Sequence, residues 1–106
     1  MLTPQPQAKQ LAKALGLNTE LYLKREDLHP HGSHKGRSIP LMVDHYVNEG
    51  ASNFCISSSG NAALAAIYAI QKHKSCALRI FVGKHIQQDK LERLRQVIYK
   101  NQNITI

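Results

Sequence analysis

The stretch from Asn53 to Ile70 constrains the fold most. Asn53-Phe54-Cys55-Ile56 reads as a short buried strand, Ser57-Ser58-Ser59-Gly60-Asn61 as a turn of small residues, and Ala62 to Ile70 as an almost wholly apolar helix. A helix without a polar face is buried on all sides. At nine residues the apolar run is far short of a membrane span, so a buried core helix explains it better.

The same alternation runs along the rest of the chain. Ala8, Leu11, Ala12 and Leu15 share one helical face, and Gly16 can end that helix. Leu21 and Leu23 alternate with Tyr22 and Lys24 as a strand would. A helix from Ser33 toward Glu49 carries Ile39, Met42, Val43, Tyr46 and Val47 on one stripe and is closed by Gly50. Pro40 lies inside it, where a proline costs roughly 3 kcal/mol, so the helix either bends there or begins later. Strand 53–57, helix 61–73, strand 77–82, helix 87–99 and strand 104–106 complete the series. Strands alternating with helices at this spacing predict an α/β fold, a parallel sheet with flanking helices and right-handed crossovers. No internal repeat or linker interrupts it, and at 106 residues one domain is the default.

In open α/β sheets, ligands collect at the carboxyl ends of the strands, and two candidate loops lie there. The first is Gly32-Ser33-His34-Lys35-Gly36-Arg37, a polar turn that opens a helix. A lysine near a helix N-terminus feels a positive partial charge, and partial burial would add to it; both disfavour the ammonium form and leave a nucleophilic amine. Such lysines form Schiff bases with carbonyl compounds. The bland alternative is a solvated surface lysine. The second loop, Ser57 to Asn61, presents backbone N–H groups and hydroxyls suited to a carboxylate or phosphate, against the alternative of a plain serine N-cap.

Together these segments carry a resemblance. Leu23-Lys24-Arg25-Glu26-Asp27-Leu28-His29-Pro30-His31-Gly32-Ser33-His34-Lys35-Gly36-Arg37 resembles the lysine motif of the tryptophan-synthase-β-like family of pyridoxal phosphate enzymes. That family, also called fold type II, includes threonine synthase, cysteine synthase, threonine dehydratase and serine racemase. Ser58-Ser59-Gly60-Asn61 is similar to its Ser-Gly-Asn loop, and Lys90-Leu91-Glu92-Arg93-Leu94-Arg95 to its Lys-x-x-x-Leu-Arg helix. Thr3-Pro4 resembles the Thr-Pro-Leu near the start of the family's catalytic core, with Gln5 in place of the leucine.

The resemblance implies a partial three-layer αβα domain and pyridoxal 5'-phosphate as cofactor. It implies elimination or replacement at the β or γ carbon of a small amino acid. Lys35 matches the lysine that binds the cofactor and shuttles the Cα proton. Asn61 matches the asparagine that hydrogen-bonds the cofactor's 3-hydroxyl, and His34 occupies a position from which it can approach the cofactor phosphate. Ser58, Ser59 and Gly60 match the loop that receives the substrate carboxylate. Ala62 and Ala63 depart from the family's Asn-x-Gly continuation. Residues 1–106 correspond to the N-terminal portion of such a catalytic domain, lacking the family's glycine-rich phosphate clamp, and are expected to be incompetent alone and to homo-oligomerise in the full-length form.

Other classes fit less well. A formal charge of +7 raises nucleic-acid binding, but the basic residues are scattered over all the helices with no aromatic platform between them. His29, His31 and His34 raise zinc or nickel, yet a Pro-His-Gly turn seldom aims three rings at one point. No membrane span or secretory signal is visible. Cys55 and Cys76 lack metal-ligand spacing and fit a reduced, cytoplasmic compartment with packing as their role. Lys90, Arg93 and Arg95 read as a solvated helix face, with Leu91, Leu94 and Ile98 as its core side.

Overall fold

The computed structural model describes residues 1–106. Its elements are α1 (Lys9–Ala14), a 3-10 turn (Glu26–Leu28), α2 (Lys35–Asn48), β1 (Asn53–Ser57), α3 (Asn61–Ile70), β2 (Ala77–Phe81), α4 (Gln88–Ile98) and β3 (Ile104–Thr105). The strands form one parallel sheet in the order β1-β2-β3. Asn53 lies opposite Ala77 and Leu78 opposite Ile104. The α/β class read from the sequence is the one observed. Two right-handed crossovers running in the same direction along the sheet put α3 and α4 on one face, and α2 packs on α3.

The apolar helix is the centre of this arrangement. Seven of the ten residues of α3 are buried: Ala63, Leu64, Ala65, Ala66, Ile67, Ala69 and Ile70. Ile39 and Val43 of α2, Leu78 and Ile80 of β2, Leu94 of α4 and Ile104 of β3 close around it. Its alanines set how near the neighbouring helices come, since axis separation follows the side chains at the contact. Each fully buried Ile or Leu, such as Ile67, Ile70, Ile80 and Leu94, contributes roughly 1.5–3 kcal/mol relative to exposure. The helix is thus covered by residues of this chain.

The open surface lies elsewhere. Asn53, Cys55, Arg79, Phe81 and Thr105 point away from the helices and border an exposed groove of about 520 Å³. The helices thus cover one face of the sheet and the other face stays open. Cys76 is buried, its thiol 3.8 Å from the Ala51 carbonyl. Cys55 is exposed on the open face, so the packing role expected of both cysteines holds for Cys76 alone.

Three local expectations are corrected. Residues 21–24 join no sheet: Tyr22 forms an isolated antiparallel bridge with Gln7. The carbonyls of Pro4 and Pro6 accept from Arg25 and Leu23, but a proline has no N–H to return, so a ladder cannot propagate. Helix α1 buries only Ala12, leaving Leu11 and Leu15 exposed. Helix α2 begins at Lys35 and runs through Pro40 as one helix. Of its expected stripe, Ile39 and Val43 are buried and Val47 half-buried, while Met42 and Tyr46 are exposed.

An ion-pair network ties the first residues to α2. Arg37 grips Glu26 through two hydrogen bonds of 2.7 and 2.9 Å and donates to the Met1 carbonyl at 2.9 Å. The Thr3 hydroxyl donates to Glu26, and Lys24 donates to the Thr3 carbonyl at 2.7 Å. The Arg37 guanidinium, then the Thr3 hydroxyl, hold the Glu26 carboxyl at about 2, down from 4.5. The folded state favours the charged form, so the stabilisation is complete above pH 4.5 and is lost as pH falls toward 2. Acid titration followed by amide NMR should release Met1 to Thr3 within that window, and Glu26→Gln should release them at neutral pH. A segment equally ordered in wild type and variant would refute the staple.

Candidate functional site

The first loop is built around a glycine turn. His29-Pro30-His31-Gly32 closes with a 2.7 Å bond from the Gly32 N–H to the His29 carbonyl, and Gly32 takes φ 72°. Such a φ suits glycine. The chain then enters α2, where the hydroxyl of buried Ser33 accepts the N–H of Lys35 at 3.2 Å. His34 is the N-cap residue and makes no side-chain cap. Lys35, the first residue of the helix, therefore stands at its positive end with no acidic residue in the first turn. Lys35 and His34 are both exposed.

Gly36 is what the sequence reading passed over. It is buried, and a Cβ there would lie 2.6 Å from the His29 ring and 2.6 Å from the His31 Cβ. The ring of His31 rests 5.1 Å from that of Tyr68 on α3, which anchors the lysine turn to the central helix. No group of three His, Cys, Asp or Glu side chains converges as a metal site, and His29 and His31 meet edge to face at 5.4 Å. The signal in the sequence was the glycine directly after the lysine.

The second loop joins β1 to α3. The Ser58 N–H bonds the Phe81 carbonyl at 3.1 Å, fixing the loop to the end of β2, and the Ser58 hydroxyl accepts the Gly60 N–H at 3.3 Å. Gly60, not a serine, is the N-cap residue of α3, and no side chain caps the helix. The N–H groups of Asn61, Ala62 and Ala63 are left without a protein acceptor. Asn61 itself is exposed at the first helical position.

Around this uncapped end sit cations read from the sequence as a solvated face. Ser59, Gly60 and Asn61 line a cavity of about 220 Å³ together with Leu64, Lys90, Arg93 and Leu94. Ser59 and Lys90 also border a second, of about 400 Å³, with Lys84 and His85. No carboxylate lines either cavity. Their spacing on α4, three residues apart in the first turns after β2, was the available signal. Lys35 and His34 line neither cavity, but Arg93 links the loops: its Nη2 lies 3.9 Å from where a Gly32 Cβ would stand. The arrangement offers an accessible amine, an amide, hydroxyls and free N–H groups beside two cations, a set suited to an anionic carbonyl compound and a carboxylate.

Residues 2–97 match the protein family described as "Pyridoxal-phosphate dependent enzyme". The chain is 39% identical to an L-serine dehydratase/L-threonine deaminase of Bos taurus over 72 residues, 68% of this chain and 21% of that protein. It is 33% identical to a threonine synthase of Synechocystis sp. over 81 residues, 76% of this chain and 20% of that one. Its fold is similar to the processed form of threonine deaminase isoform 2 from Solanum lycopersicum, with a TM-score of 0.74, 26% identity, and coverage of 98% of this chain and 27% of that one. A pyridoxal 5'-phosphate-dependent aspartate racemase shares the fold at a TM-score of 0.77 and 19% identity, over 100% of this chain and 32% of that one. The chain spans about a fifth of the length of the curated relatives it matches.

Gly36→Ala tests the packing behind the lysine turn. Helix propensity alone would favour alanine by about 1 kcal/mol. The His31 Cβ cannot rotate away, however, and overpacking costs about 1–3 kcal/mol. Denaturant unfolding should therefore show a net loss of stability; a gain would mean that the turn has room.

Proposed function

Because this chain belongs to the pyridoxal-phosphate-dependent enzyme family, we propose that it takes part in elimination or replacement at the β or γ carbon of a small amino acid, with Lys35 as the catalytic lysine. Residues 1–106 act in this reading as the N-terminal portion of the catalytic domain. The observation that carries it is the pairing of two loops about Arg93: an exposed amine on the first residue of α2 and an uncapped α3 N-terminus that begins with Asn61.

Roles follow from those positions. Lys35 would hold the cofactor through its Nζ, and that Nζ, freed as an amine once the substrate amine has taken its place, would accept the proton from the substrate Cα. Pyridoxal phosphate, when bound, supplies an electron sink for the pair left behind. Asn61 orients the cofactor ring through its amide, and His34 lies at the same helix end as Lys35, where it can meet the phosphate. Ser58, Ser59 and Gly60 receive the substrate carboxylate, supported by the free N–H groups of Asn61 and Ala62 and by the charges of Lys90 and Arg93. Relatives named for dehydration and for threonine synthesis support both elimination and replacement. No helix is long and apolar enough to cross a membrane. A cytoplasmic, homo-oligomeric enzyme is the form this reading envisages.

Borohydride reduction of the protein treated with pyridoxal phosphate, followed by peptide mass mapping, should leave a pyridoxyl group on Lys35. Asn61→Ala should weaken cofactor binding or shift its absorbance more than the exposed control Gln88→Ala. Label on Lys24 or Lys84 with Lys35 free, or equal effects of the two substitutions, would sink the assignment.

A further inference from the structure

The turn that carries Lys35 is held by an imidazole in an unusual setting. The His31 ring is half-buried, tilted 36° against Tyr68 at 5.1 Å and at 84° to His29 at 5.4 Å. Its Nδ1 is shut off from solvent and has no hydrogen-bond partner. Its backbone N–H donates to Nδ1 of His29 at 3.2 Å. Directly behind these groups lies Gly36, with no space for even a methyl group. The His31 Cβ thus packs tightly against the first turn of α2, where Lys35 sits.

We propose that His31 is a positioning residue for Lys35, acting in its neutral form: the uncharged ring held between Tyr68 and His29, with its Cβ against Gly36, fixes the turn, and protonation of that ring releases it. The titratable and charged groups facing the ring are His29 within the turn, Tyr68 on α3 and Lys72 just beyond α3. None of them is a carboxylate that could accept an imidazolium proton. An N–H placed on buried Nδ1 would likewise find no acceptor.

The direction of titration agrees with the geometry. Burial first, then the charges of His29 and Lys72, push the His31 imidazole below its ordinary 6.5. The folded turn thus disfavours the charged ring, so its stability is complete above pH 6.5 and declines as pH falls from 6.5 toward the lower folded value. What the positioning serves rests on the reading of Lys35 given above. The positioning itself is a property of the turn, measurable without cofactor.

Amide exchange of the uniformly labelled protein tests it. In wild type, protection factors at Gly36 and Arg37 should be constant above pH 6.5 and then fall by up to about tenfold per pH unit, as uptake of one proton on opening requires. His31→Phe keeps a ring against Tyr68 and removes the proton, so it should abolish this dependence while retaining protection. His31→Ala should lower protection at every pH. With pyridoxal phosphate added, borohydride labelling of Lys35 should decline with acid more steeply in wild type than in His31→Phe. A pH step that persists in His31→Phe, or undiminished protection in His31→Ala, would overturn the proposal. Loss of the step in His31→Phe with no labelling of Lys35 at any pH would leave the positioning standing and remove the cofactor reading instead.

Discussion

Burial of the apolar body of α3 is the constraint on which the rest of the structure depends. A helix reading Ala-Ala-Leu-Ala-Ala-Ile-Tyr-Ala-Ile has no face that water solvates well, so its flanks must be sheet, α2 and α4. Small residues at 63, 65, 66 and 69 let those neighbours come close, and Ile67 and Ile70 fill the space that remains. Tyr68, half-buried on this helix, meets His31 and so couples the core to the turn before α2. A helix enclosed along its length still has ends. Its N-terminus, without a side-chain cap, is left to interact with whatever anion reaches the carboxyl end of β1.

The chemistry of the two loops is a consequence of that geometry. Both α2 and α3 are entered through turns rich in Gly and Ser, and both present their positive ends without a carboxylate in the first turn. Lys90 and Arg93 enter the same region because right-handed crossovers place the start of α4 beside the start of α3. At the other end of α2, Asp44 meets His73 at 2.7 Å and ties α2 to the segment after α3. The lysine turn is therefore supported from α3 through His31 and from the first residues through Arg37 and Glu26. The amine itself stays exposed.

Much of the fold was legible because its signals are local. Strand 53–57 was bounded by Gly50 and the serine run, and the start of α3 by Gly60-Asn61. The ends of helices were less so: α3 stops at Ile70, since polar Gln71-Lys72-His73 leave the buried face with nothing to add. Residues 21–24 alternate as a strand should, yet a strand needs a partner, and Pro4 and Pro6 deny it one. Met42 and Tyr46 have the right spacing for a core stripe, but periodicity fixes a face and not its width, and only the Ile39–Val43 edge meets α3. Of the site, the motifs carrying Lys35 and Asn61 were readable as residues. The exposure of Lys35, the wedge formed by His29, His31 and Gly36, and the approach of Lys90 and Arg93 depend on contacts between segments distant in sequence, which no local pattern encodes.

The central claim is that the lysine turn and the Ser58–Asn61 loop act as one site about Arg93. Titration of the labelled protein with pyridoxal phosphate, read by amide shifts, tests this most directly. The account predicts that Lys35 to Arg37 and Ser59 to Ala63 shift together with one affinity, and that Arg93→Ala weakens both sets in parallel. Shifts confined to Asn53, Cys55 and Arg79 on the open face of the sheet, or two loops responding with separate affinities, would contradict it.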